Sequence, residues 1–261
     1  VLRTRRGLGL LAFATVMTIA CVLLGLWQLD RYQQRGMQNE AIRTALAAEP
    51  VAFDSLVGPE ADLTSSQVPD SAEWRRVELS GTYDDSATLV LRLRALSGQS
   101  GVHVLTPLVL PDGRAVLVDR GFLPAARGPS GSVESAQVPE APAGTVDLTA
   151  RVRLSEDAGG AGLDDDTSPP SVRFVDLDDL ADASDGPVAP VWVERVEQVP
   201  SEDSTLVAIP APGLSAGPSL IYAVQWFLFG VIAVVGFVVL VRRDSQPPAL
   251  SPHPGGRAAR R

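Results

Sequence analysis

The sequence predicts a membrane hairpin: two transmembrane α-helices enclosing an extracytoplasmic all-β domain, barrel- or sandwich-like, with one short helix. Three observations predict it. Residues 8–29 and 220–241 are runs of 22 residues each without a formal charge, and a helix of that length, at about 1.5 Å per residue, reaches about 33 Å, enough to cross a bilayer. Between them, from Trp74 onward, apolar side chains recur at every second position in short runs separated by turn residues. Finally, the charges are sorted: arginines flank the apolar runs on their outer sides, and acids fill the middle.

The chain has 261 residues and a net charge of −9. Residues 30–218 hold 14 arginines against 30 acids, a net of −16, whereas Arg3, Arg5 and Arg6 precede the first run and Arg242, Arg243, Arg257, Arg260 and Arg261 follow the last. Nucleic acid is excluded as a partner, because the large middle repels phosphate and the basic ends are short membrane flanks. Membrane lipid is the expected surroundings of the two runs. By the positive-inside rule both termini lie in the cytoplasm and residues 30–218 outside, so the expected location is the cell membrane, crossed twice. The only cysteine, Cys21, sits within the first run, so no disulfide framework is possible.

The expected organisation is a cytoplasmic start at 1–7, a first helix at 8–29, the outer domain at 30–218, a second helix at 219–241 and a disordered cytoplasmic tail at 242–261. The first run exceeds the h-region of a signal peptide, and its nearest A-x-A pattern, Ala45-Leu46-Ala47, lies far downstream, which favours a retained helix. Trp27, Gln28 and Arg31 close that helix, Trp27 and Arg31 as an i, i+4 pair. Residues 30–48 continue it as a polar helical extension until Pro50. On the second run Tyr222, Gln225, Trp226 and Phe229 fall at i, i+3, i+4 and i+7, an aromatic face carrying one amide. An interfacial aromatic belt explains the rings, whereas an amide in lipid seeks a partner helix.

Residues 52–71 read as a loop. Strands are expected at 77–83, 89–94, 102–110, 115–122, 145–154, 191–199 and 206–209, with a hairpin turn at Pro111-Asp112-Gly113. Asp176 can cap a short helix at 177–183. Residues 125–144 and 157–170, rich in Gly, Pro, Ser and Asp, read as mobile insertions.

Little in the composition suggests catalysis. The two histidines are His103 and His253, and no G-x-S-x-G elbow accompanies His103. A strand histidine bonded within its domain is the plainer reading. Met17, Cys21, Met37 and His103 are too scattered for copper or zinc. Asp164-Asp165-Asp166 and the acids of 176–185 lack EF-hand spacing and read as solvated. Arg31, Arg35 and Arg120 could pair with carboxylates of a ligand or partner, or within their own chain.

Four stretches together resemble one family: Gly25-Leu26-Trp27-Gln28-Leu29-Asp30-Arg31; residues 101–108, similar to G-x-H-x-x-T-P-L; Val118-Asp119-Arg120-Gly121-Phe122-Leu123-Pro124, similar to R-G-W/F-V/L-P; and Tyr222-Ala223-Val224-Gln225-Trp226-Phe227. In this order, between two spans, they resemble the surfeit-locus-one family of cytochrome c oxidase biogenesis factors, as a bacterial member. The resemblance implies a non-enzymatic role in maturing the haem-copper oxidase: assisting haem a insertion, or stabilising the catalytic subunit as assembly factor or accessory protein. It implies haem a as a transient cofactor, held in some bacterial relatives by a histidine whose position here is Ser219. Tyr222, His103 and Arg31 are then the candidate haem a contacts. Trp27, Gln28, Arg31, Arg120, Tyr222, Gln225 and Trp226 are the candidate contacts to the oxidase catalytic subunit or the wider respiratory complex. The alternatives are a membrane-anchored cell-envelope enzyme using His103 with a carboxylate, and a structural interaction module without cofactor.

Overall fold

A computed structural model describes residues 5–58, 65–124, 138–156, 159–182, 184, 186–215 and 217–244. The expectations for residues 1–4, 125–137 and the tail from 245, with His253, fall outside the described residues. In chain order the elements are α1 (Arg5–Ala47), β1 (Val51–Ala52), α2 (Phe53–Val57), β2 (Arg76–Tyr83), β3 (Leu89–Leu96), β4 (Gln99–Val109), β5 (Ala115–Pro124), β6 (Thr145–Arg153), β7 (Ser171–Val172), α3 (Leu177–Asp182), β8 (Val188–Val199) and α4 (Ser219–Asp244). They divide into two compact units, one built on α1 and α4 and the other spanning Glu40–Leu214.

Both long helices are apolar around most of their circumference and are long enough to cross a membrane. The polar extension of α1 is continuous with its apolar part and stops at Ala47, where Ala48 still donates to the Thr44 carbonyl at 3.1 Å and Pro50 offers no further N–H. The less exposed residues of α1 recur at Ala14, Thr18, Cys21, Gly25, Gln28 and Tyr32, and those of α4 at Ser219, Ala223, Trp226, Gly230, Ala233 and Phe237. Steps of four and three alternate in both, the spacing of a helix seam. The helices meet where the side chains are smallest. A Cβ on Gly25 would stand 2.7 Å from the Phe227 ring, and one on Gly230 would stand 3.5 Å from the Cys21 Cβ. Small residues let backbones approach where lipid tails supply no hydrophobic drive.

In the second unit the strand order is β1-β2-β6-β8-β5-β4-β3-β7, with a further pairing of β2 to β4. That pairing, Thr82↔Val109 and Tyr83↔Leu108, closes β2, β6, β8, β5 and β4 into a small barrel. Gly81 makes the closure possible: a Cβ there would lie 2.5 Å from the Val109 carbonyl oxygen. The alternating residues Val77, Leu79 and Tyr83 of β2 and Val146, Leu148, Ala150 and Val152 of β6 point into one core with Val116, Val118, Val191 and Val193. Each such fully buried valine contributes about 1.5–3 kcal/mol. The β4–β5 turn is the expected one. Gly113 takes φ +89°, Gly113 N donates to the Leu110 carbonyl at 2.9 Å, and Arg114 bonds Asp112 through backbone and side chain, holding that carboxyl below its ordinary range.

Several expectations are corrected. Residues 52–57 are no loop: Ala52 ends β1, and α2 buries Phe53 and Val57 against the barrel core. Residues 206–209 form no strand, only a single bridge between Val207 and Phe122. The alternation of β3 breaks at Leu93, whose φ of +62° and 59% exposure mark a bulge between Leu91 and Arg94. In the 157–170 segment, expected as a mobile insertion, Ala161 is buried against the domain, while Gly162, Leu163 and residues 165–168 are exposed. Ala161, Val172, Val175 and Leu177 cover Leu91, Leu105, Leu117 and Trp192 on the outer face of the sheet. Arg92 pins this layer, donating to Ser171 Oγ at 2.7 Å and the Gly162 carbonyl at 2.9 Å.

The near contact of the helices at Gly230 makes a direct test. Gly230→Cys brings two Cβ atoms within the range a disulfide accepts. Oxidation of membranes carrying this variant is expected to join the new thiol to Cys21, read as a link that survives proteolysis of the intervening domain and dissolves on reduction; no link under oxidising conditions would mean that α1 and α4 do not cross there.

Candidate functional site

The two central motifs of the sequence are brought together as one strand pair. In β4 and β5, His103 pairs with Phe122 and Val104 with Gly121, across a register shift before Leu105↔Asp119. The shift turns Asp119 toward His103: the Asp119 Oδ2 to His103 Nδ1 distance is 2.6 Å, and Asp119 Oδ1 accepts from the Gly121 backbone N–H at 3.0 Å. The carboxylate is wholly buried and the imidazole is 15% exposed. The His103 ring meets Phe122 edge-on at 5.9 Å. Gly101 is required beneath them, because a Cβ there would collide with the Phe122 ring and the Leu123 carbonyl. His103 is thus oriented by a buried acid, which is what a general base needs and also what a packed strand histidine needs.

The next residue, Arg120, corrects an expectation. Offered by the sequence as a partner-binding cation, it is 0% exposed and fully engaged inside its own domain. Its Nε and Nη2 grip Glu202 at 3.0 and 2.8 Å in a two-pronged fork. Nη1 donates to the Pro139 carbonyl at 3.0 Å and Nη2 to the Glu140 carbonyl at 2.9 Å, and the guanidinium lies 5.7 Å from the Tyr83 ring. Burial, with the Glu202 carboxylate close by, raises the Tyr83 phenol above its ordinary value, and its hydroxyl donates to Gln198 Oε1 at 3.0 Å. Because every charged group here has a partner, the barrel can tolerate them.

A second buried charge group lies across β6 and β8. Glu194 receives Arg153 Nη1, and its Oε2 lies 3.1 Å from Arg151 Nη2, although that donor is aimed instead at the Ile209 carbonyl at 2.6 Å. Arg153 is sandwiched by rings, 4.1 Å from Trp74 and 5.2 Å from Trp192. Asp119, Glu202, Glu194 and the two tryptophans were assigned no role from the sequence. Asp119 had a signal, as a carboxylate inside an otherwise apolar strand. Glu202 had none, because it lies in coil.

On the helices the candidate residues separate. Trp27 is 54% exposed with the Arg31 guanidinium 5.8 Å from its ring. Tyr222 is 46% exposed, and Gln225 is exposed with no hydrogen-bond partner among the described residues. Gln28 and Trp226 turn toward the seam instead, Trp226 meeting Phe229 edge-on at 5.9 Å. The expected single face of Tyr222, Gln225, Trp226 and Phe229 is therefore divided, with Trp226 on its inner border. Ser219, where the family resemblance implies a histidine in some bacterial relatives, is only 4% exposed. Its hydroxyl is a poor axial donor where imidazole is needed, so the residue there does not fit haem ligation.

Arg120→Met is expected to destabilise the full chain by about 3–5 kcal/mol, since the Glu202 carboxylate is left buried and unpaired. Adding Glu202→Leu should restore most of that loss in thermal or denaturant unfolding. A contact arginine would behave oppositely, weakening partner capture at unchanged stability.

A model of the SURF1 family matches residues 15–231. The chain is 33% identical over 239 residues to a SURF1-like protein of Mycobacterium tuberculosis, covering 87% of this chain and 82% of that one. It is 26% identical over 274 residues to a SURF1-like protein of Monosiga brevicollis, covering 97% and 96%. It is also 26% identical over 125 residues to the cytochrome oxidase assembly protein SHY1 of Saccharomyces cerevisiae, covering 46% of this chain and 30% of that one. Running from within α1 to within α4, through the interlocked β4–β5 pair, the match is to the whole hairpin, and the chain belongs to the SURF1 family.

Proposed function

We propose that this protein is a membrane-embedded assembly factor for a haem-copper cytochrome oxidase, acting by docking on the oxidase catalytic subunit rather than by catalysis. Family membership and the similarity to SHY1, a cytochrome oxidase assembly protein, support the process. The observation that carries the docking mode is Gln225: an amide on the outer surface of an apolar helix, with no partner among the described residues, next to exposed Tyr222 and Phe229. In lipid an unsatisfied amide is unfavourable, and a helix of another membrane protein offering a polar group at that depth relieves it. Trp27 with Arg31 on α1 supplies a second outward aromatic contact. In this reading Gln28 and Trp226 hold the hairpin together and Arg120 holds the domain together, so all three act on the partner only indirectly.

Haem a enters this reading as cargo of the assembly process, not as a ligand of Ser219. Tyr222 and Arg31 remain the outward candidates for passing contact, and His103 has Nδ1 committed to Asp119. The His103–Asp119 pair also supports the one competing reading, a cell-envelope hydrolase, since it has the geometry of a base and its orienting acid. Against it, His103 is absent from the described lining of two of the domain's cavities, the one beside α2, β2 and β6 and the one beside α3. The arginine excess on the outer flanks supports a topology with both termini in the cytoplasm.

Gln225→Leu combined with Tyr222→Leu is expected to weaken capture of the oxidase catalytic subunit from mild-detergent membranes about three- to tenfold, the worth of one interhelical hydrogen bond and its ring contact. It should lower the haem a absorbance of those membranes, while a hairpin that also carries Gly230→Cys still forms its disulfide to Cys21. Full oxidase maturation in the double variant would sink the docking mode. Added haem a should acquire no imidazole-type low-spin spectrum from the purified chain that His103→Ala abolishes. A membrane-impermeant thiol reagent applied from outside should label a cysteine placed at exposed Val199; labelling only after the membrane is broken would invert the topology.

A further inference from the structure

The packed outer layer of the domain leaves a crevice that none of the roles above uses. It is a cavity of about 350 Å³ between α3, the segment before β7 and the strands β3, β4 and β5. Leu117 and Leu177, exposed by 5% and 2%, lie deep in it, with Leu180 above them. Its mouth is apolar as well. Outside the two long helices, the large apolar side chains exposed among the described residues are Leu93, Val109, Leu163, Val199 and Val207, and of these Val109 and Leu163 line this opening. Two carboxylates, Asp84 and Asp165, stand among the described lining residues, and no cation does. Asp84 uses Oδ1 to cap a short turn, accepting from Ser86 N at 3.1 Å, and Asp165 has no ion pair among the described residues.

The walls are preformed. Arg92 ties the segment over β3 through Ser171, Gly162 and Asp164, and Asp179 of α3 accepts the Ala161 N–H at 2.8 Å. A crevice whose shape is held by charge-assisted bonds binds without first being ordered, which lowers the unfavourable part of association.

We infer that this crevice is a docking site for an extended segment of a protein partner that seats one bulky apolar side chain against Leu117, Leu177 and Leu180 and sets a lysine or arginine beside Asp84 and Asp165. Exposed Val109 and Leu163 stand with the carboxylates at the opening, a surface that complements an apolar side chain flanked by a basic one. The two carboxylates, in a domain whose net charge is −16 over residues 30–218, select a basic flank over an acidic one. The choice of a protein occupant rests on the assembly reading. Peptide binding to the purified chain needs no oxidase, so a failure of either can be told from a failure of the other.

The test is fluorescence anisotropy of labelled peptides on the full chain in detergent. One probe is a short Ala/Ser peptide with a central Leu between two Lys; its counterpart carries Glu in place of Lys. The Lys-flanked peptide should bind saturably and at least about tenfold more tightly than the Glu-flanked one. Leu163→Lys, at an exposed position where folding is not at stake, should weaken it about tenfold, and Asp165→Asn severalfold. Glu78→Gln and Glu197→Gln, on the acidic face around the barrel, should leave it unchanged. Equal binding of the two peptides, indifference to Leu163→Lys, or loss with Glu78→Gln and Glu197→Gln would each overturn the assignment, the last by showing diffuse attraction to an acidic domain.

Discussion

The domain depends on one buried ion pair. Arg120 and Glu202 meet inside the barrel with almost no solvent contact, and the same guanidinium takes carbonyls from Pro139 and Glu140. Three stretches distant in the chain, the middle of β5, the coil before β6 and the coil after β8, are joined at a single planar group with five donors. An apolar side chain of similar volume could fill the space, but it could not dictate which carbonyls approach it. The pair therefore specifies how the barrel mouth closes more than it adds to net stability.

From that point the geometry of the central motifs follows. β5 must deliver Arg120 inward, so Asp119 faces the other way, toward β4, where the shifted register brings it to His103. Gly121 and Gly101 are the places where another chain element passes too close for a side chain: Val207 and Arg195 in the first case, Phe122 and Leu123 in the second. The resemblance carried by these residues is thus first a matter of architecture. A histidine, an acid, an arginine and two glycines are held in sequence by the needs of one strand pair.

The helices obey a different solvent. In water the small residues of α1 and α4 would be poor glue, but in lipid they let the helices approach closely, Gly25 against the Phe227 ring and Gly230 against the Cys21 side chain, and the polar and aromatic residues sort by how far they face the seam. Gln28 and Trp226 are half-buried at seam positions, whereas Gln225 and Tyr222 are exposed. Helical spacing alone blurs that difference in exposure, because Trp226 and Gln225 are neighbours in the chain.

By itself the sequence determined what depends on local pattern and on solvent: two spans, because 22 uncharged residues can satisfy their backbone only as helix in lipid; a β-rich middle, because period-two alternation runs through most of the strands and a bulge interrupts it only locally; the Pro111-Asp112-Gly113 turn, because Gly113 must take positive φ; and family membership, because four motifs kept their order. The tertiary structure alone decided strand order, the parallel pairing of β5 with β8, the burial of α2 and the packing of Ala161 and Val172 on the sheet. It also decided that Arg120 faces inward and Gln225 outward. The reason is that burial and pairing of a charge are set by segments far apart in the chain. Nothing adjacent to Arg120 signals a carboxylate 82 residues away, and nothing adjacent to Gln225 says which side of its helix another helix will occupy.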